Sequence, residues 1–142
     1  MENTRAELSL NNRLKLEADR ILVVDDIPDN SFLLQTVLEE EGYQVEIADS
    51  GQAALKKVLA NPPDLILLDV MMPGMSGFEV TRYIRQNLSL PYIPILLITG
   101  YSEPTPADGF DVGVDGFINK PVDFDVLLNR VREILQPRHT LS

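Results

Sequence analysis

The sequence of 142 residues contains no cysteine, which excludes disulfide bonds and thiolate metal sites. Its apolar runs, such as LILL and ILLI, are too short to cross a bilayer. The opening stretch MENTRAELSL lacks the basic and apolar regions of a signal peptide. From these absences we expect a cytoplasmic protein without a membrane association.

Positive charge is also scarce, because 12 basic residues face 22 acidic ones and the formal net charge is −10. The sequence contains no basic run that could form a segregated positive patch. Such a chain repels nucleic-acid phosphates and anionic membranes. The charge therefore argues against direct nucleic-acid binding and favours a protein partner or a cation.

The length fits one domain with a substantial hydrophobic core. Residues 1–19 are polar with scattered leucines and carry no glycine or proline. We interpret them as an N-terminal extension, flexible rather than docked as a helix. Residues 20–136 form the predicted folded domain, and residues 137–142 form a C-terminal tail.

Short apolar runs alternate with segments of helical period along this domain. The predicted strands cover 21–25, 43–48, 64–70, 93–99 and 115–120. The predicted helices cover 31–41, the segment behind Ser50, Ser76 to about Gln86, 102–113, and the segment from behind Asp123 to Pro137. This alternation predicts an α/β fold with a single doubly wound parallel sheet of five strands and five helices.

The helix faces follow from the spacing of apolar residues and from the breakers. The residues predicted to point inward from the first two helices are Leu33, Leu34, Val37, Leu38, Ala54, Leu55, Val58 and Leu59. The predicted helix over 102–113, fourth in order, contains two prolines and two glycines. Proline is poorly tolerated beyond a first helical turn, so we expect this helix to be short or irregular.

Polar residues close four of the predicted strands. Asp25 and Asp26 follow the first strand, Asp69 ends the third, Thr99 the fourth and Lys120 the fifth. The carboxyl ends of parallel strands share one edge, where ligands bind in open α/β sheets. Three carboxylates there suit Mg²⁺, while the hydroxyl and the ammonium suit an anion such as a phosphoryl group. Taken singly, the same residues fit a solvated turn, a surface lysine and an ordinary β-branched strand residue.

The sequence resembles the receiver domain of two-component response regulators in four motifs. These are DD at 25–26, LLDVMMPGMSGFE at 67–79, LITG at 97–100 and FINKP at 117–121. The resemblance extends from about Arg20 to Leu135. It implies a flavodoxin-like sheet with strand order 2-1-3-4-5.

The resemblance also implies the chemistry of the site. It makes Asp69 the acceptor that is phosphorylated by a phosphohistidine on a sensor histidine kinase or a histidine phosphotransfer protein. Asp25 and Asp26 are implied to hold Mg²⁺ together with Asp69 and the backbone carbonyl of Met71. The chain is then a signalling domain and not a conventional enzyme.

The remaining implied residues bind the phosphoryl group and transmit its presence. Thr99 and Lys120 are implied to contact phosphoryl oxygens, and Thr99 and Phe117 to act as the switch. The switch alters the surface made by the helix over 102–113, the fifth strand and the last helix, which signals to a protein target. We expect a monomer or a phosphorylation-dependent homodimer. The Lys120–Pro121 bond is expected to be cis.

Three features depart from the family pattern that we use for comparison. Phe117 lacks a tyrosine hydroxyl, and the interval from Thr99 to Lys120 is one residue shorter than in the chemotaxis regulator. Met71 and Tyr101 occupy positions where the family varies its dephosphorylation rate. Neither side chain orients an attacking water as a carboxylate or amide does, so we expect a long-lived acyl phosphate.

We expect a receiver that acts as a single domain, because no output domain follows residue 135. Two other functions remain as alternatives. A pseudo-receiver would keep the fold and bind partners without phosphorylation. A hydrolase with an aspartyl nucleophile generally has a second acid two residues after the nucleophile, where this sequence has Met71. The intact set of Asp69, Lys120 and metal-ligand candidates favours the receiver.

Overall fold

Strands and helices alternate in the computed structural model, which describes residues 18–100 and 112–135. The strands are β1 (Arg20–Val24), β2 (Gln44–Ala48), β3 (Leu65–Asp69), β4 (Ile95–Thr99) and β5 (Gly116–Asn119). The helices are α1 (Pro28–Glu40), α2 (Gly51–Ala60), α3 (Gly77–Gln86) and α4 (Phe124–Leu135). None of these helices is long and apolar enough to span a membrane.

The five strands form one parallel sheet in the order β2-β1-β3-β4-β5. This confirms the predicted doubly wound fold and its 2-1-3-4-5 order. The register pairs Val24 with Leu68, Asp69 with Ile98, and Thr99 with Asn119. The strands thus end at nearly the same level, and the residues that follow them share one edge.

Both faces of the sheet are covered, as the continuous apolarity of β1, β3 and β4 predicts. One core cluster packs α2 and α3 onto the sheet, through residues such as Val58 and Ile84. The other packs α1 and α4 onto the opposite face, through residues such as Leu38 and Val131. Alternate residues of the central strands belong to different clusters, so both faces of each strand are buried.

The predicted starts of α2, α3 and α4 are confirmed, whereas α1 begins at Pro28 and not at the predicted Ser31, because proline is favoured in a first helical turn. Ser50 caps α2, and Ser76 with Glu79 forms a reciprocal capping box at the start of α3. The Asp123 carboxylate accepts hydrogen bonds from backbone N–H groups in the first turn of α4. Gly42 follows α1 with a φ of 95°, a conformation that glycine adopts without strain.

Two residues predicted to point inward are exposed instead. Leu33 and Leu59 are 50% and 51% exposed, whereas Leu34 and Val58 beside them are buried. Neighbouring residues on a helix lie about 100° apart, and a narrow buried stripe holds only one of each pair. The prediction was wrong for these two because the period does not fix how wide the covered face is.

Some predictions concern residues outside the described ranges. They are nearly all of the N-terminal extension 1–19, nearly all of the helix over 102–113, the tail 137–142 and the role of Tyr101.

Candidate functional site

The first two acids of the site stand directly behind β1. The backbone N–H of Asp25 donates to the carbonyl of Ala48 at 3.1 Å, so the residue still belongs to the edge of the sheet. Its Oδ1 accepts the backbone N–H of Ile27 at 2.9 Å. Asp25 is buried and Asp26 is half-buried. The chain then enters α1 at Pro28, a favoured first helical residue.

The third acid, Asp69, is the last residue of β3 and is 1% exposed. Its Oδ1 lies 2.8 Å from Nζ of Lys120, which forms a charge-assisted hydrogen bond. The backbone N–H of Lys120 donates to the carbonyl of Thr99 at 2.7 Å, which anchors the lysine at the end of β4. The Lys120–Pro121 bond is cis, as predicted.

The three carboxylates converge, with one oxygen of each lying within 4.8 Å of the others. We call Asp25, Asp26 and Asp69 the acidic cluster. At such separations two like charges repel by about 1 kcal/mol in water and by about 4 kcal/mol near a protein surface. Lys120 offsets only one of the three negative charges. The cluster therefore favours a cation, and its donors are the hard oxygen ligands that suit Mg²⁺.

The remaining predicted residues are Thr99, Phe117 and Met71. Thr99 is buried, and its hydroxyl donates to the carbonyl of Gly100 at 3.2 Å. Phe117 is half-buried in β5 and packs against the core beneath α2 and α3. The Met71 side chain, two residues beyond Asp69, is 59% exposed.

A cavity of about 340 Å³ opens beside the acidic cluster. Its lining consists of Asp25, Asn30, Leu33, Leu34, Ile98, Lys120, Pro121, Val122 and Phe124. Sequence reasoning missed the part that α1 contributes, because Leu33 was assigned to the core. Leu33 falls outside the i, i+4 pair formed by Leu34 and Leu38. This spacing is the only signal in the sequence that Leu33 does not belong to the core.

A second polar network, which the sequence did not predict, lies at the opposite edge of the sheet, where β4 and β5 begin. Arg85 contacts the Asp115 carboxylate at 3.2 Å and stacks over the Tyr92 ring at 4.5 Å from its centroid. Asp115 also accepts the backbone N–H of Ile95 at 2.8 Å and the hydroxyl of Tyr92. Burial, and then the bond to Asp115, raises the pKa of the Tyr92 phenol. This network joins the end of α3 to the starts of β4 and β5.

Comparison with known proteins identifies relatives over most of the chain. The family model of the response regulator receiver domain matches residues 21–132. Response regulator ArlR of Staphylococcus saprophyticus is 41% identical over 125 residues, which cover 86% of this chain and 56% of that protein. Protein PilH of Pseudomonas aeruginosa is 33% identical over 82% of this chain and 97% of its own length.

A solved structure agrees with this assignment. The chemotaxis response regulator CheY4 of Vibrio cholerae superimposes with a TM-score of 0.77 at 32% identity, covering 82% of this chain and 98% of that one. The present chain spans little more than half the length of ArlR but nearly the whole of PilH and CheY4. The similarity is therefore to the common domain of these proteins.

Proposed function

The chain belongs to the response regulator receiver domain family, and on that basis we propose that it accepts a phosphoryl group on Asp69 from a phosphohistidine. The donor is a sensor histidine kinase or a histidine phosphotransfer protein in the cytoplasm. The observation that carries the proposal is the Asp69 carboxylate, held 2.8 Å from Lys120 and clustered with Asp25 and Asp26.

The transfer requires little covalent chemistry from the protein. An oxygen of the Asp69 carboxylate attacks phosphorus and forms the O–P bond of an acyl phosphate. The P–N bond to the donor imidazole breaks, its electron pair stays on that nitrogen, and the imidazole regains a proton from solvent. A carboxylate nucleophile needs no base to activate it. Lys120 offsets negative charge on the moving phosphoryl oxygens.

Mg²⁺ is the cofactor we propose, because the acidic cluster offers the ligands that it prefers. Asp25, Asp26 and Asp69 would hold it, with the backbone carbonyl of Met71 as a further ligand. Bound Mg²⁺ supplies positive charge and alignment for the phosphoryl oxygens. The contribution of this chain is to keep the three carboxylates close although they repel one another.

The phosphoryl group is sensed through Thr99 and Phe117. Phosphorylation adds negative charge and acceptor oxygens, and the Thr99 hydroxyl donates to one of them. Thr99 pairs with Asn119 and Leu97 with Phe117, so the switch residues lie on adjacent strands two positions apart. A shift of Thr99 changes the space available to Phe117 and alters the surface that includes β5 and α4. A protein target, or a second phosphorylated copy, reads that surface.

Incubation of the full chain with acetyl phosphate and Mg²⁺, followed by intact-mass measurement, tests the proposal. We expect one phosphoryl group on the wild-type chain and none on Asp69→Asn. The matched control is Asp64→Asn, just before the start of β3, because asparagine can still accept the backbone bond from Arg20. This control should be labelled like the wild type.

Each other outcome points to a different function. A wild-type chain that takes no phosphoryl group under these conditions supports a pseudo-receiver. Continued turnover of acetyl phosphate without an accumulating adduct supports a hydrolase. Labelling that persists in Asp69→Asn places the acceptor elsewhere and contradicts the proposal.

A further inference from the structure

Gly77, the first residue of α3, lies directly behind the acceptor. A Cβ built on it would stand 2.5 Å from the backbone oxygen of Asp69 and 3.0 Å from Cα of Val70. Both distances are too short for carbon in van der Waals contact. The absence of a side chain therefore lets the start of α3 approach the end of β3.

The backbone behind the acceptor is held from two sides. The Val70 N–H donates to the carbonyl of Ile98 at 3.1 Å, which ties it to β4. The Val70 carbonyl accepts the N–H of Gly77 at 2.9 Å, which ties it to α3. Because the sheet blocks one direction and the helix the other, a clash at Gly77 cannot be relieved without moving the Asp69–Val70 peptide or the helix.

The start of α3 is itself fixed. Its capping box joins Ser76 and Glu79, with bonds of 3.0 and 3.2 Å. The hydroxyl of Thr81, which is fully buried, donates to the carbonyl of Gly77 at 2.9 Å. The first turn of α3 is thus a rigid support with Gly77 at its point of contact.

We propose that Gly77 is a positioning residue for phosphoryl transfer, setting the place of Asp69 relative to Lys120 and the other acids. The inference rests on the proposed function. A methyl group at residue 77 displaces the acceptor by several tenths of an ångström, and a misplacement of about 1 Å can cost roughly 100-fold in rate. We expect Gly77→Ala to lower the rate of Asp69 phosphorylation at least about tenfold.

Gly51 provides a matched control. It is also the first residue of a helix and also follows a serine cap. A Cβ there would lie 2.9 Å from side-chain atoms of Met75 and Val80, not from backbone. Gly51→Ala therefore repeats the change in helix propensity and the crowding, but the Val80 methyl can rotate and Met75 lies in the loop before α3, so the backbone of β3 does not have to move.

The experiment compares the full-length wild type, Gly77→Ala and Gly51→Ala. The phosphorylation rate is measured by intact mass at saturating acetyl phosphate and Mg²⁺, and divided by the folded fraction from circular dichroism. We expect a loss of about tenfold or more for Gly77→Ala and less than about threefold for Gly51→Ala. A purely structural role would change the melting temperature but not the saturating rate of the folded molecules.

A Gly77→Ala rate equal to that of the wild type, or an equal loss in Gly51→Ala, overturns the inference while the labelled wild type still supports the proposed function. A wild type that takes up no phosphoryl group contradicts both the inference and the proposed function. If Gly77→Ala does not fold, Thr81→Val replaces it, since it removes the bond to the Gly77 carbonyl without adding a clash. A several-fold lower rate in this variant supports the inference, and an unchanged rate overturns it.

Discussion

At the scale of single residues, the acidic cluster that forms the proposed metal site lowers the stability of the metal-free chain. Asp25, Asp26 and Asp69 repel one another, and the single positive charge of Lys120, paired with Asp69, is smaller than their combined negative charge. Bringing like charges together in a partly buried place is unfavourable without a compensating cation. The metal-free chain should therefore be less stable than a variant with one fewer charge.

Substitution of Asp26 by asparagine tests this arrangement. Without Mg²⁺, Asp26→Asn should unfold at higher urea concentration than the wild type, since a repulsion of about 1 kcal/mol or more is removed. With Mg²⁺ at about 100 times its dissociation constant, the wild type should gain about 2.7 kcal/mol and the variant much less. Urea unfolding with and without Mg²⁺ measures both effects.

The control is Asp49→Asn, because Asp49 also follows a strand at this edge but is exposed and lies outside the acidic cluster. It should keep the wild-type response to Mg²⁺. An equal gain from Mg²⁺ in the wild type and Asp26→Asn would place the metal elsewhere.

Met71 gives a second residue-scale prediction, about the lifetime of the acyl phosphate. Its side chain is exposed next to the acceptor and cannot hold an attacking water. An amide at this position can, so Met71→Asn should lose its phosphoryl group several times faster than the wild type. The decay of the phosphorylated mass after removal of the donor measures this.

The exposed Leu88, in the loop after α3, provides the control Leu88→Asn, which should lose its phosphoryl group at the wild-type rate. Rapid loss from the wild type itself would contradict the expectation of a long-lived adduct.

At the scale of elements, the network of Arg85, Tyr92 and Asp115 joins the end of α3 to the starts of β4 and β5. Arg85 also donates to the carbonyl of Gly113 at 2.9 Å. Gly113 is the last residue of the predicted helix over 102–113, and Asp115 follows two residues later. The network therefore ties Gly113 and Asp115, which precede β5, to the end of α3.

The raised pKa of Tyr92 gives this network a pH dependence. The folded chain holds the phenol proton more tightly than the unfolded chain, whose tyrosines titrate near pH 10. The resulting stability is complete below about pH 10 and is lost as the pH rises through the higher folded pKa. Tyr43, whose pKa burial also raises, adds a similar dependence.

Tyr92→Phe should therefore lose less stability than the wild type between about pH 9 and pH 11. The unfolding free energy in urea, measured across this range, provides the test. Tyr83→Phe removes a phenol from α3 without touching Asp115, and it should follow the wild-type profile. A Tyr92→Phe profile that matches the wild type would show that the network does not bind the phenol proton.

The elements also show how far the sequence predicts the site. The acidic cluster and Lys120 could be predicted because parallel strands end at a common edge, so residues far apart in sequence meet there. The contacts of Leu33, Arg85 and Gly77 could not. They depend on the rotation and offset of each helix against the sheet, and neither apolar period nor a helix-capping motif fixes those two quantities.

At the scale of the whole molecule, the sheet order decides what the chain can do. The central strands β1 and β3 are neighbours, and β4 and β5 follow on the same side. This order places Asp25 and Asp69 side by side and brings Lys120, 51 residues further on, to the same carboxylate. The core is apolar on both faces, and three of its buried polar residues, Asp25, Asp69 and Thr99, lie at the edge where the strands end.

The central claim, that Asp69 receives the phosphoryl group, is tested most directly by mapping the modified residue. An acyl phosphate of aspartate is reduced by borohydride to homoserine with release of phosphate. The full chain is therefore phosphorylated with acetyl phosphate and Mg²⁺, treated with borohydride, digested and analysed by tandem mass spectrometry. We predict homoserine at residue 69 and aspartate at residues 25, 26 and 64. Homoserine at another aspartate, or no conversion in a chain shown to carry the phosphoryl group, would contradict the account.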